Sequence, residues 1–341
     1  MQAARLAQIT NAFAGKRIAV CGDFFLDRYL WIDPARAEIS VETGLTAHQV
    51  VAQTSAPGAA GTVAANLAAL GAHVVCLGVI GDDGDGYTLR QGLHDLGIDD
   101  SLMISTPDRP TATYTKPVIR LTDGTVRELE RLDIRSREAL PTAYRRRFID
   151  HLDTLAHQID AVVFADQMPE AQAGIIDDSV QHAIAGIARE HPHVPMFADS
   201  RARIDRFRGV GIKPNLHEAC SALGHTLQPN DDFNVIAAEL ATRTQHPVVM
   251  TLAGDGVIVS EHGITQHIPG IPVDCPIDVV GAGDSVMAAL AIARAAGATL
   301  FEAAEIAMYV AAVTIRKLGT TGTATPAELT AIAQHYSRLQ T

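Results

Sequence analysis

The chain has 341 residues, 47% of them hydrophobic, and 39 acidic against 27 basic side chains give a formal charge of −12. That length supports a sizeable core in one large α/β unit, and the acidic balance without any block of lysine and arginine excludes a nucleic-acid surface. Cys21, Cys76, Cys220 and Cys275 lie far apart with no C-x-x-C, which speaks against a disulfide frame or zinc knuckle and for a reducing compartment.

No apolar run reaches membrane-spanning length, and no basic region precedes an apolar core at the start. A cytoplasmic protein without membrane contact is the expectation.

Residues 1–16 read as a short helix and turn. A β-rich run over 17–21 ends at Gly22-Asp23. In open α/β sheets ligands sit beyond the carboxyl ends of strands. Asp23 and Asp27, four apart around that exit, are therefore candidates for receiving ligand hydroxyls; exposed loop acids are the plain alternative. The β-rich pieces 29–32 and 48–53 do not fit a strand–helix–strand rhythm. Neither do 111–121 and 125–132, which flank Asp123-Gly124, a hairpin signal. Two such excursions, about 28–56 and 111–132, predict a small separate sheet, or else two surface hairpins.

Gly58-Ala59-Ala60-Gly61 opens a helix predicted to run to Leu70 and carrying Asn66. Small residues there allow close approach by a ligand or by another helix. A strand follows over 73–79. The acidic run Gly81-Asp-Asp-Gly-Asp-Gly86 lacks the alternating ligands and distal glutamate of a calcium loop and reads as a turn capping a helix over 87–96. Further helices are expected over 137–158 and 171–190, and strands over 161–165, 194–198 and 209–213. In Lys213-Pro-Asn-Leu-His-Glu218, Asn215 and Glu218 stand three apart at a helix start and can face one site; they could equally be a cap and its capping-box acid. A strand over 247–252 leads into Thr251-Leu-Ala-Gly254-Asp-Gly256, with strands over 257–260 and 264–268 beyond it.

The most informative stretch is Asp278-Val-Val-Gly-Ala-Gly-Asp284, ahead of helices over 285–296 and 300–318. Gly281 and Gly283 permit a tight turn, and the following helix start offers unpaired N–H groups and the positive end of its dipole. That is an anion site suited to phosphate. Asp284 stands where a carboxylate could take a proton from a hydroxyl, and Asp278 where it could serve cation or loop geometry. A simple helix cap after a glycine turn remains the alternative. Gly319-Thr-Thr-Gly322 is a turn, and a surface helix begins at Pro326. No metalloprotease, Walker or nucleophile-elbow motif occurs, and the 14 histidines are scattered. Alternating strands and helices predict one α/β domain over 1–341, with a mostly parallel sheet covered on both faces.

Asp278-x-x-Gly-Ala-Gly-Asp284 resembles the carboxyl-terminal signature of the ribokinase-like, or phosphofructokinase-B (PfkB), carbohydrate kinases, with Val279 where threonine is usual. Gly22-Asp-Phe-Phe-Leu-Asp-Arg-Tyr29 resembles the amino-terminal segment of their heptose-phosphate kinase branch. Asn215-x-x-Glu218 and Thr251-x-x-Gly254-x-Gly256 follow in the family's order, and the likeness runs from Gly22 to about Thr325. It implies a ribokinase-like fold whose small sheet is a lid and, in relatives, a dimer interface. It implies transfer of the ATP γ-phosphoryl group to a hydroxyl of a sugar or sugar phosphate. Asp284 would be the general base, and the N–H groups of Gly281, Ala282, Gly283 and Asp284 would hold the moving charge. Glu218 would reach Mg²⁺ through water, with Asn215 beside it. Thr251, Gly254, Gly256 and Asp278 would lie on the nucleotide side, and K⁺ would be an accessory ion near 319–322. Asp23 foremost, then Asp27, Gly58 and Asn66, would meet the acceptor.

Departures cluster on the sugar side: Ala59 for a second glycine, Thr62 for a first asparagine, and Asp166-Gln-Met-Pro-Glu170 for a glycine- and lysine-containing motif. A nucleoside kinase on the same scaffold and a non-catalytic sugar or nucleotide sensor are the rival readings. Retention of Asp284 and Glu218 weighs against the sensor.

Overall fold

The structure, a computed structural model, describes residues 1–121, 125–319 and 321–339. The first strand shows the logic of the whole. β1 (Arg17–Gly22) is buried from Ile18 onward, as expected of a strand covered on both faces. Ile18 and Val20 enter one apolar cluster, Ala19 and Cys21 the other, because successive side chains leave a strand on opposite sides.

α1 (Ala3–Asn11) precedes β1. There follow β2 (Phe24–Ile39), β3 (Thr46–Ala59), α2 (Ala60–Ala69), β4 (His73–Gly81), α3 (Gly84–Asp95), β5 (Ile104–Thr106), β6 (Ala112–Arg120), β7 (Val126–Glu128) and β8 (Leu132–Ile134). The second half holds α4 (Thr142–Ala156), β9 (Ala161–Asp166), α5 (Asp178–Glu190), β10 (Met196–Ser200), β11 (Gly211–Ile212), α6 (Leu216–Leu223), α7 (Phe233–Thr244), β12 (Val248–Thr251), β13 (Val257–Glu261) and β14 (Ile264–Ile268). α8 (Ala282–Ala295), α9 (Leu300–Thr314) and α10 (Pro326–Leu339) complete it.

The central sheet has nine strands in the order β14-β13-β12-β11-β10-β9-β1-β4-β5. It is parallel from β12 to β5; only β13 and β14 run against their neighbours. α2, α8 and α9 belong to one cluster and α4, α5 and α7 to the other, so helices cover both faces. β1 lies between β9 and β4, and the chain departs in opposite directions from it. The carboxyl ends of β1 and β9 border the crevice that such a reversal opens. Among the described residues no helix is long and apolar enough to cross a membrane.

The small sheet runs β3-β2-β6-β7, with β8 also on β6. Its strands β2 and β3, of 16 and 14 residues, far exceed the expected 29–32 and 48–53. Their distal halves are exposed on both faces, so no alternation marks them in the sequence. β6 and β7 pair antiparallel, while Asp123-Gly124 lies outside the described residues.

Several helix ends also differ. α4 starts at Thr142, behind Pro141, rather than at 137. α9 stops at Thr314, and the Ile315 carbonyl instead takes the Asp278 N–H at 2.7 Å. α5 starts at Asp178 rather than at 171, because charged side chains capture the backbone of 167–177. Arg145 donates to the carbonyls of Gln172 and Gly174, Arg109 to that of Ala173, and Ile175 N–H goes to Asp23.

Ala59, at the junction of β3 and α2, sits at φ 53° and ψ −119°. A side chain held there costs of order 1–3 kcal/mol. Ala59→Gly is expected to stabilise the fold by about 1 kcal/mol, strain relief outweighing the freedom that glycine adds to the unfolded chain. A thermal melt decides it; a lowered Tm would mean that no strain is stored at residue 59.

Candidate active site

α8 begins beside the crevice, at Ala282 rather than at 285. Gly281 caps it with φ 79°, a left-handed conformation natural to glycine. A Cβ there would stand 2.6 Å from Thr321 Cγ2 and 3.2 Å from Thr62 Cγ2. Asp278 fixes the turn: its carboxylate accepts from the Val280 N–H at 3.0 Å and the Gly319 N–H at 3.2 Å. Of the two roles open to Asp278, the structure displays the loop-shaping one. The Ala282 N–H goes to Val279 O, whereas the amides of Gly283 and Asp284 donate to nothing among the described residues. Two free N–H groups at the positive end of a helix, beside an exposed glycine, make an anion site.

Asp284 occupies the first turn of α8. Burial pushes its carboxyl up to about 7 and Asp199 adds to that, while Lys213 and Arg201 oppose it. A group that titrates near neutrality is matched to general-base work.

A cleft of about 680 Å³ opens at this helix start. Asn215, Glu218, Thr251, Gly254 and Gly256 all line it. Asn215 and Glu218 form the capping box of α6: Asn215 Oδ1 accepts from Glu218 N and Glu218 Oε2 from Asn215 N, both at 2.8 Å. The plain reading of this motif is thus realised, and Glu218 Oε1 stays uncommitted among the described residues. Burial and Asp199 raise the Glu218 carboxyl. Asp199 and Glu218 line the cleft and Asp199 also acts on Asp284, a crowding of charge that a divalent cation would relieve. Among the described residues no group of three or more His, Cys, Asp or Glu could hold a metal outright. Glu218, with one oxygen uncommitted and its place on the cleft, fits a magnesium ion that would arrive on phosphates and meet a carboxylate through water.

On the opposite side the two acids differ in their surroundings. Asp23 is 6% exposed. Its Oδ2 accepts from the N–H groups of Gln167 and Met168, and its Oδ1 from that of Ile175. It is an anchor for the 167–177 segment rather than an open ligand group. Asn66 is fully buried one turn into α2, its amide N–H donating to Thr62 O at 3.0 Å. The residue of α2 bordering the glycine loop is Thr62. Asp27 is the accessible acid. Gly58 lets β3 pass directly against it: a Cβ there would meet its carboxylate carbon at 2.7 Å. Burial raises the Asp27 carboxyl, and Lys116, Arg131 and Arg201 draw it down.

Sequence reasoning missed the cations. Lys213, almost wholly buried, lies 3.0 Å from Asp199 Oδ2. Arg201 donates to Gln167 Oε1 at 3.0 Å, and Lys116 lies 3.3 Å from the Tyr29 hydroxyl. Neither Arg201 nor Lys116 has a carboxylate partner in ion-pair contact among the described residues. One signal could have found Asp199 and Lys213: each stands at the carboxyl end of a predicted strand, where ligands of open sheets bind.

Comparison with known proteins bears on this site. The family described as pfkB family carbohydrate kinase matches residues 26–327. The chain is 28% identical over 326 residues to the bifunctional protein HldE of Helicobacter hepaticus, covering 95% of this chain and 63% of that protein. It is 31% identical over 316 residues to HldE of Trichlorobacter lovleyi, covering 92% and 62%. The chain thus spans just under two thirds of the curated relatives it matches. Among solved structures, phosphofructokinase-2 from Escherichia coli in complex with potassium superposes with a TM-score of 0.72 at 17% identity, covering 95% of this chain and 99% of that one. Ribokinase of Arabidopsis thaliana, complexed with ribose and ATP, gives 0.69 at 19%, covering 94% and 98%. At such identities these two likenesses concern the fold alone.

Proposed function

The chain belongs to the pfkB family of carbohydrate kinases, and from that premise we propose that it transfers the γ-phosphoryl group of ATP to a hydroxyl of a sugar or sugar phosphate. The observation that carries this reading is the start of α8, where the free amides of Gly283 and Asp284 adjoin a carboxyl titrating near 7. Asp284 takes the proton of the attacking hydroxyl. The amides meet the charge on the moving phosphoryl group, and positioning and electrostatics of this kind supply most of the catalysis in such transfers. Glu218, with Asn215, would face the Mg²⁺ of the nucleotide through water, and that ion, when bound, would neutralise the phosphates. Thr251, Gly254 and Gly256 form the nucleotide wall.

Asp27 holds the acceptor, with Gly58 leaving room beside it. Lys116 and Arg201, which make no ion-pair contact with a carboxylate among the described residues, favour an acceptor that itself carries a negative group, hence a sugar phosphate over a free sugar. K⁺ would be an accessory ion near 319–322, where the Gly319 N–H donates to Asp278. Two copies meet through the small sheet, whose distal Ile39, Val41 and Leu45 are 66%, 101% and 69% exposed, and the sheet closes over the acceptor to keep water from the phosphoryl group.

ADP release from Mg²⁺-ATP, screened over free pentoses, hexoses and heptoses, their monophosphates and nucleosides, tests the proposal. Release with one or more sugar monophosphates is expected. Release with nucleosides alone would replace it by the nucleoside-kinase reading, and ATP binding without release on any acceptor by the sensor reading.

A further inference from the structure

β10 and β11 are parallel neighbours, with Ala198 beside Ile212. The register continues past their ends, where the Lys213 N–H donates to Ala198 O at 2.9 Å. Asp199 and Lys213 therefore leave adjacent strand ends side by side, at 3.0 Å, with side chains 13% and 5% exposed. The ammonium also lies under α8: a Cβ on Gly283 would stand 3.6 Å from Lys213 Nζ. Asp284 is the next residue. Burial works against the charge on Lys213, but Asp199 and Glu218 more than restore it and leave its pKa raised. A compact ammonium on a flexible stem goes where its partner aims it.

The charges facing Asp284 come from three places. Asp27 comes from β2, Asp199 and Arg201 from the end of β10, and Lys213 from the end of β11. Glu218 of α6 faces Lys213 and Asp199 in turn. We propose that Asp199 and Lys213 are a positioning pair for the transfer step that act on Asp284 from opposite sides: the ammonium favours the charged form of Asp284 that accepts the hydroxyl proton, and Asp199, by holding the ammonium beneath Gly283, limits how far it does so. This rests on the reading of Asp284 as the base. Without Lys213, Asp284 faces Asp199 and Asp27 with only Arg201 to offset them. Without the charge of Asp199, a repulsion is lost and the ammonium is free to swing to Asp284, so the two changes act in opposite directions.

The test uses the full chain with no ligand. Carboxyl ¹³C resonances of labelled aspartate are titrated in the wild type, Lys213→Met, Lys213→Arg and Asp199→Asn, and Asp284 is assigned by the resonance that vanishes in Asp284→Asn. Lys213→Met is expected to move the Asp284 midpoint up by about one pH unit or more, Asp199→Asn to move it down, and Lys213→Arg to hold it near the wild type, on the scale of a nearby charge. Midpoints that stay put, or that move the same way in Lys213→Met and Asp199→Asn, would overturn the pair. Should Lys213→Met fail to fold, Asp199→Asn and Lys213→Arg still decide it. The base assignment fails separately, if Asp284→Asn keeps its turnover.

Discussion

Asp284→Asn is expected to lower turnover by at least about a hundredfold, the usual scale for loss of a general base, with ATP binding retained. The amide is nearly isosteric and leaves the N–H groups of Gly283 and Asp284 in place, so the anion site survives while proton acceptance is lost. A second signature accompanies it. The wild-type carboxyl, pushed up to about 7, works only when deprotonated. kcat/KM, which reports the free enzyme, should therefore fall as pH drops through about 7, and the residual rate of the variant should lose that limb. Near-normal turnover in Asp284→Asn, or an acid limb unchanged by it, would remove Asp284 from the base role.

The largest effect on stability is expected at Arg203. Its guanidinium pairs with Asp166, which is fully buried, and donates to Met168 O at 2.9 Å and Pro169 O at 3.1 Å. Ser200 Oγ donates to the other Asp166 oxygen at 2.6 Å. Arg203→Met leaves a buried carboxylate without its cation, a change that costs about 3–5 kcal/mol. The loss should depend on pH. Burial, with help from Asp23, raises the Asp166 carboxyl from 3.8 to about 7 against the pull of Arg203 and Ser200. Asp166 thus binds its proton more tightly folded than unfolded, and its contribution to stability falls as pH rises from about 4 to about 7. Without Arg203 the carboxyl rises further and the decline continues to higher pH. Denaturant unfolding at pH 5.5 and pH 8 should show the larger deficit at pH 8; equal deficits would mean that Asp166 is not the group left stranded.

The parts of this protein legible in its sequence are those set by local chemistry. The apolar run ending at Gly22 announces a buried strand, and Asp278 to Asp284 announce a glycine turn and a helix start in seven residues, with Asp284 as the proposed base. The resemblance added the fold, which the comparisons bear out. What stayed hidden depends on partners distant in the chain. Asp23 and Asp27 look alike in sequence, and only the path of 167–177 decides that one is buried as an anchor while the other stays half-buried beside Gly58. Lys213 and Asp199 become neighbours through the pairing of two strand ends. The distal parts of β2 and β3 carry no periodic signal because neither of their faces is buried.

The segment 167–177 is gripped from outside. Asp23, Arg109, Arg145 and Arg203 all hold its main chain, and none of them belongs to it. Of its own side chains, Ile175 and Ile176 enter the core and Asp177 caps α5 and pairs with Arg145, while Pro169, Ala171 and Gln172 are exposed. Gln167 reaches Arg201 in the cleft, and Met168 rests on Phe25 and Tyr114 of the small sheet. The first part of such a loop behaves as an interchangeable cassette. Residues 167–172 can be rewritten to redesign what the pocket accepts, while the shape is dictated by the four residues outside the loop, and by Ile175, Ile176 and Asp177 within it, which must be left alone.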